Sequence, residues 1–254
     1  MGERADRYRS EVKALQLGFD LGMTLVDTAE MYGEGKAEIL VGEAIAGRRE
    51  DIFLVSKVYP YRSTRSGVVS ACEQSLKRLK TDYLDLYLLH WRGSVPLAET
   101  IEGFQLLKRQ GRIREFGVSN FDHEDMEELM GVPGGTEAVT DQVLYNVTRR
   151  GIEWDLLPWC RKRRMPVMAY SPVEQARLPA KLDVIARRLS VNRFQLALAW
   201  VLHRDGVVAI PKAGNEAHVI ENRKALDLSI PEEILAELDA LFPPPSVKSP
   251  LEML

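Results

Sequence analysis

Thr24-Leu25-Val26-Asp27-Thr28-Ala29-Glu30-Met31-Tyr32 is the stretch on which the fold of this chain turns. It is apolar and β-branched up to the aspartate, and Gly22 interrupts the chain just before it. A short core strand is therefore predicted, with Asp27 at its carboxyl end and Tyr32 on the loop beyond. A carboxylate at the end of a core strand needs a partner. Two further strand-like runs bring candidates to the equivalent place. Ile52-Phe53-Leu54-Val55-Ser56 leads to Lys57, and Leu84-Asp85-Leu86-Tyr87-Leu88-Leu89 leads to His90. An aspartate, a tyrosine, a lysine and a histidine are thus expected on one rim.

Outward from these three, seven strand-like runs begin near residues 24, 52, 84, 113, 139, 166 and 207, each followed by a helical pattern. The first five intervals run from 26 to 32 residues, which suits repeated strand and helix units joined by right-handed crossovers. A parallel sheet closing into an α/β barrel is the natural solution. The opening helix is predicted over 4–21, with Val12, Leu15 and Phe19 on one face and Gly22 at its stop. Another places Leu97, Ile101, Phe104 and Leu107 at helical spacing and stops at Gly111. A third starts at Asp122 and turns Met126 and Leu129 inward. The last opens at Pro231-Glu232-Glu233, buries Ile234, Leu235, Leu238 and Leu241, and ends at Pro243-Pro244-Pro245.

With 254 residues and no obvious linker, one domain over 1–254 is expected. A net charge of −3 with 28% charged residues gives no electrostatic case for nucleic acid or a membrane surface. No apolar run approaches the ~18 residues of a membrane span. The run Arg161-Lys162-Arg163-Arg164 falls where a helix should end, and cations there suit the helix dipole. Gly33-Glu34-Gly35-Lys36 lacks the spacing and the Ser or Thr of a phosphate loop and reads as the turn beyond Tyr32. Two cysteines without CxxC spacing and no signal segment point to a reducing cytoplasm. A monomer without a metal site is expected.

Ser119, Asn120 and Gln142 end strands and offer amide and hydroxyl groups able to grip a carboxamide, while Tyr170 offers an aromatic face. Taken singly, each candidate has a structural alternative. Asp27 with Lys57 can be a rim ion pair, His90 a satisfied rim histidine, Ser119 a cap of the following helix, and Tyr59 or Trp91 plain packing. The four ionisable groups gain weight from their shared place at the carboxyl ends of strands, where barrel active sites lie. Opposite charges ~4 Å apart at an effective dielectric of 20 interact by about 4 kcal/mol, enough for Lys57 to lower the pKa of Tyr32 by roughly three units. No GxGxxG occurs, so a Rossmann site is not implied.

Asp27 with Tyr32, Lys57 in Val-Ser-Lys-Val and His90 in Leu-Leu-His-Trp resemble the catalytic tetrad of the aldo-keto reductases. Gly117-Val118-Ser119-Asn120, Gln142-Val143-Leu144-Tyr145-Asn146, Ala169-Tyr170-Ser171-Pro172 and Ile210-Pro211-Lys212 follow in the order of that family, so the resemblance covers nearly the whole chain. The phrases around Asp27–Tyr32, Leu156–Cys160 and Leu251–Leu254 are most similar to bacterial methylglyoxal reductases. The resemblance implies a (β/α)8 TIM barrel and NADPH-dependent reduction of small aldehydes and dicarbonyls. It makes Tyr32 the proton donor, Asp27 the partner that holds Lys57, and His90 a hydrogen-bond donor to the substrate oxygen. It assigns cofactor binding to Ser119, Asn120, Gln142, Tyr170, Ser171, Pro172, Lys212, Ala213, Asn215, His218, Glu221 and Asn222, and the pocket walls to Tyr59 and Trp91. NADH is expected to bind more weakly than NADPH. The margin should be modest, because Ala213 and His218 stand where phosphate-preferring relatives carry Ser or Thr and Arg.

Two departures from the family accompany the resemblance. Relatives carry a strand ahead of the opening helix, whereas only Met1-Gly2-Glu3 precede it here, so seven strands are expected and an N-terminally truncated gene product is the reading. Glu174 to Ala180 is short where relatives often carry a cofactor-covering loop. The tail from about 243 to 254 is implied to lie over the barrel mouth, with Met253 and Leu254 near the substrate. Two other functions stay open: a Schiff-base lyase using Lys57, and a nicotinamide-binding sensing subunit with little turnover.

Overall fold

The computed structural model describes residues 1–254. The chain groups into two compact units, Met1–Thr140 with Ala213–Val219, and Asp141–Lys212 with Ile220–Leu254.

The first unit alternates helix and strand. Helix α1 covers Tyr8–Asp20, then β1 Leu25–Asp27, α2 Lys36–Ala44, β2 Phe53–Val58, α3 Arg65–Leu79, β3 Leu84–Leu89, α4 Leu97–Arg109, β4 Ile113–Ser119 and α5 His123–Gly131. The four strands pair in parallel in chain order, with Asp27 opposite Val55, Lys57 opposite Leu88, and Leu88 opposite Gly117. Buried on both faces, β2 and β3 are nearly continuous apolar runs, as parallel strands covered by helices must be. Phe104 of α4 stacks on Phe116 of β4 at 5.2 Å and meets Tyr87 of β3 edge-on at 5.7 Å. All three rings are fully buried, and each contributes on the order of 2 kcal/mol or more.

Helix starts follow their caps. Thr64 accepts from the Gly67 amide at the head of α3, and Asp122 forms a capping box with Asp125 at the head of α5. Helix α1 begins at Tyr8 rather than residue 4. Its preceding turn carries no side-chain cap, and Arg4 is bonded to its neighbour Asp6 in solvent. Stops at Gly22 and Gly111 are where the sequence puts them, with φ of +84° and +69°.

The second unit holds β5 Asp141–Leu144, α6 Leu156–Lys162, β6 Val167–Tyr170, α7 Leu182–Arg188, α8 Arg193–Leu202, β7 Val207–Ile210 and α10 Glu232–Leu241. Helix α9, Glu216–Ala225, begins in residues of the first unit and ends in the second. Strands β5, β6 and β7 are parallel, with Leu144 opposite Tyr170 and Tyr170 opposite Ile210. Arg161 and Lys162 fill the last turn of α6 with exposed side chains, and Arg163 lies over the Trp159 ring at 3.7 Å. The basic run therefore closes a helix. Beyond α10 the tail is irregular and is held by two ion pairs, Lys248 to Asp155 at 3.2 Å and Glu252 to Arg149 at 2.6 Å. Met253 and Leu254 are exposed.

Candidate active site

Strand β1 is only three residues long, yet the chain keeps climbing beside β2 after it ends. The Thr28 amide donates to Val55, and the Glu30 amide to the Lys57 carbonyl at 3.4 Å. Tyr32 is then turned back by three successive left-handed residues, Gly33 at φ +58°, Glu34 at +56° and Gly35 at +86°. Gly35 has a second reason to be glycine: a Cβ there would meet the Arg78 side chain at 2.7 Å.

Lys57 is fully buried, and its ammonium group donates three hydrogen bonds. The acceptors are Asp27 Oδ2 at 2.6 Å, the Thr28 carbonyl at 3.0 Å and the Tyr32 hydroxyl at 3.3 Å. The Tyr32 and His90 rings lie 5.6 Å apart in an edge-to-face arrangement. The four residues expected on one rim are therefore brought together.

Their electrostatics depart from the sequence expectation in one respect. The pKa of Tyr32 is raised above the ordinary tyrosine value, because burial outweighs the downward pull of Lys57, and Asp27 adds to the rise. An ammonium ion already paired to a carboxylate at 2.6 Å has only part of its field left for the phenol. For Lys57 itself, burial opposes the charge, but Asp27 and Tyr32 more than offset it and its pKa is raised. Tyr32 thus keeps its proton, and Lys57 keeps its charge, across the physiological range.

Burial and then the nearby Lys57 push His90 down to about 3, so the imidazole is neutral at working pH. Its buried Nδ1 has no hydrogen-bond partner, so the ring is not the satisfied rim histidine that the sequence left open. A histidine that binds its proton at about 6.5 unfolded but only near 3 folded lends stability that is complete above pH 6.5 and lost as pH falls towards 3. Between pH 7 and pH 4.5 that loss should be ~3 kcal/mol. Urea unfolding of wild type and His90→Asn at the two pH values checks this: the variant should lose less stability by about that amount.

Around this group Tyr59 and Trp91 form an aromatic wall. Tyr59 meets Trp91 edge-on at 5.8 Å and lies 6.5 Å from His90, while His90 and Trp91 are 5.0 Å apart. Sequence reasoning missed Tyr61, which stacks on Tyr59 at 4.8 Å, and Glu30 with Arg62 behind them. Glu30 had a signal, being a charge placed between Asp27 and Tyr32 on a buried stretch. Arg62 had none.

At the end of β4, Ser119 is buried, and Asn120 adopts a left-handed φ of +56°. The Asn120 amide donates to the His90 carbonyl at 3.1 Å and to the Ser119 hydroxyl at 3.2 Å, so it fixes the backbone that carries His90. The cap of α5 is Asp122, not Ser119.

In the second unit Gln142 is buried within β5, with its amide 3.9 Å from the Met168 sulfur, and Tyr170 ends β6 half-buried. Ser171 has a φ of +48° and its carbonyl accepts from Asn146, while Pro172 is buried. Glu174 closes the short link after β6 by bonding Asn146 at 2.8 Å and Arg149 at 3.0 Å. Lys212 is exposed, two residues past β7. Glu221 and Asn222 are half-buried in α9, where the Glu221 carbonyl accepts from Gln195.

Of the residues returning to the first unit, Ala213 is half-buried and Asn215 caps α9 by accepting from the His218 amide at 2.9 Å. The Asn215 amide meets His218 Nδ1 at 3.1 Å, which favours the tautomer with its proton on Nε2. In the first unit the Ser119 hydroxyl and the Asn120 amide stand at the end of β4. In the second the Tyr170 ring ends β6, whereas the Gln142 amide lies within β5 rather than at its end, where the sequence put it.

The family model described as Aldo/keto reductase family matches residues 3–242. The chain is 51% identical over 260 residues to methylglyoxal reductase YeaE of Escherichia coli strain K12, covering 100% of this chain and 92% of the relative. It is 33% identical over 223 residues to a glyoxal reductase of Bacillus subtilis strain 168, covering 87% and 79%. Among solved structures, an aldo/keto reductase from Klebsiella pneumoniae in complex with NADP and acetate superposes with a TM-score of 0.98 at 50% identity, covering 100% of this chain and 92% of that one.

Proposed function

The chain belongs to the aldo/keto reductase family and has its α/β TIM-barrel fold, and from that premise we propose that it reduces methylglyoxal and similar small aldehydes and dicarbonyls with NADPH. The observation that carries the reading is the buried Lys57 ammonium group joining the Asp27 carboxylate to the Tyr32 hydroxyl, with His90 against the same ring.

A reduced nicotinamide, when bound, would supply a hydride to the carbonyl carbon. Tyr32, protonated because its pKa is raised, gives its hydroxyl proton to the carbonyl oxygen, so the product is an alcohol. The phenolate left behind faces the Lys57 ammonium across the hydroxyl's present 3.3 Å, the one neighbour that opposes the cost of burial and of Asp27. The charge pair therefore works after proton transfer more than before it, which is differential stabilisation of the transition state. Neutral His90 donates a hydrogen bond to the carbonyl oxygen and orients it for Tyr32. Asp27 holds Lys57 in place. Tyr32 recovers its proton from solvent.

Mixing the purified protein with NADPH and methylglyoxal and following nicotinamide absorbance tests this directly. Steady consumption dependent on both is expected. Binding of NADPH without turnover across an aldehyde panel would identify a sensing subunit instead.

For the cofactor we assign Ser119, Asn120, Gln142, Tyr170, Ser171 and Pro172 to the nicotinamide side. Lys212, Ala213, Asn215 and His218 are assigned to the 2′-phosphate, and Glu221 and Asn222 to the adenine side. Lys212 and His218 are the side chains set to meet the 2′-phosphate, so NADPH should bind more tightly than NADH. Dissociation constants for both cofactors, for wild type, Lys212→Ala and His218→Ala, measure this. A ratio unchanged in His218→Ala would remove His218 from phosphate reading. No helix is long and apolar enough to cross a membrane. Both cysteines are free and buried, which suits a reducing compartment, and we place the protein in the cytoplasm as a monomer without a nucleic-acid partner.

A further inference from the structure

We infer that Glu30 is a positioning residue for the substrate pocket, its buried carboxylate fixing the backbone of Tyr59 and thereby the aromatic wall beside the reacting hydroxyl. The inference rests on the reading above that Tyr59 lines the substrate site.

Glu30 is 6% exposed, and both carboxylate oxygens are spent on the loop that follows β2. Oε1 accepts from the Tyr59 amide at 2.9 Å, and Oε2 from Arg62 Nη1 at 2.5 Å. A buried carboxylate is costly unless its lone pairs are met, and an apolar side chain would fill the same space without that cost. The charge here meets one backbone amide whose residue carries the pocket wall.

The rest of that loop is fixed by other means. Ser63 donates to the Pro60 carbonyl at 2.5 Å, and Thr100 donates to the Ser63 carbonyl at 2.8 Å. Gly93, on the loop after β3, comes so near that a Cβ there would lie 2.6 Å from the Pro60 side chain. Tyr59 itself opens this turn, its carbonyl accepting from the Arg62 amide at 3.0 Å, while its own amide is held by Glu30. Its ring packs against Trp91 and His90, so a displaced Tyr59 backbone widens the space in front of the proton donor. A substrate of a few heavy atoms gains affinity only from close contact, so a displaced wall should weaken binding more than it slows chemistry.

Steady-state kinetics of the full chain with NADPH and methylglyoxal test this in wild type, Glu30→Ala, Glu30→Gln, Tyr59→Ala and the Glu30→Ala/Tyr59→Ala double variant. Loss of one ordering hydrogen bond predicts a KM for methylglyoxal raised roughly tenfold in Glu30→Ala, with kcat within about threefold and NADPH affinity unchanged. Glu30→Gln keeps an acceptor for the Tyr59 amide and should recover most of the KM. In the Tyr59→Ala background, removing Glu30 should add no further rise, because the wall it holds is gone.

An unchanged KM in Glu30→Ala despite a lowered Tm, or KM effects that add in the double variant, would overturn the inference. Should Glu30→Ala fail to fold, Arg62→Met replaces it. That variant keeps the Tyr59 contact, so its KM should stay within about twofold of wild type while stability falls, and a KM rise as large as that of Tyr59→Ala would count against us. The underlying reading fails separately, through a wild type inert towards methylglyoxal or a Tyr59→Ala variant with normal KM.

Discussion

Tyr32→Phe is expected to lower kcat for methylglyoxal by roughly 10²- to 10⁴-fold, the range that a positioned proton donor supplies. The substitution deletes one oxygen. The ring keeps its edge-to-face contact with His90, and the left-handed turn through Gly33 and Gly35 is untouched. Lys57 loses one of three acceptors but keeps Asp27 and the Thr28 carbonyl, so the buried charge stays paired. NADPH affinity should therefore remain within about twofold, since the loss falls on the chemical step. Single-turnover kinetics beside a fluorescence titration with NADPH separates the two quantities. A variant retaining more than half of wild-type kcat would show that the proton comes from elsewhere.

Lys57→Met should cost both activity and stability. The folded state would keep the Asp27 carboxylate, which is only 10% exposed, without its cation. Breaking a buried pair from one side typically costs about 3–5 kcal/mol. Adding Asp27→Asn should restore part of that, because the stranded charge is then removed. The pH profile should move as well. Lys57 is the influence that lowers the Tyr32 pKa, while burial and Asp27 raise it, so removing the lysine pushes the phenol further up. The alkaline limb of the reduction profile therefore shifts to higher pH, with kcat reduced by roughly 10²-fold or more for want of a charge to receive the phenolate. A limb that stays in place would mean that Lys57 does not act on Tyr32.

Much of this was legible in the sequence because strand ends can be counted. The starts predicted near 24, 52, 84, 113, 139, 166 and 207 lie within two residues of Leu25, Phe53, Leu84, Ile113, Asp141, Val167 and Val207. In a parallel sheet, equivalent ends lie side by side, so Asp27, Lys57 and His90 could be grouped before any distance was known. Longer-range features were not legible. Glu30 and Arg62 are 32 residues apart, and nothing in either local pattern announces the other. The sign of the Tyr32 shift was misread because it depends on burial, which outweighs the lysine and can be known only once the loop is folded. Ser119 resembled a helix cap because its residue type suits one, but the cap needs a donor three residues on, and Asp122 has it.

The threefold donation of the Lys57 ammonium group also bears on survival in the presence of substrate. Dicarbonyls add to unprotonated amines, and an enzyme that gathers them exposes its own lysines to the same addition. Lys57 offers no lone pair, since every N–H is engaged, its pKa is raised and no surface reaches solvent. A Schiff base there is disfavoured for the same reasons. Prolonged incubation with methylglyoxal in the absence of NADPH should therefore mark exposed lysines such as Lys36 and Lys212 in peptide mass spectra while leaving Lys57 unmodified. The ion pair that holds the proton donor in place would then double as armour against reactive dicarbonyls.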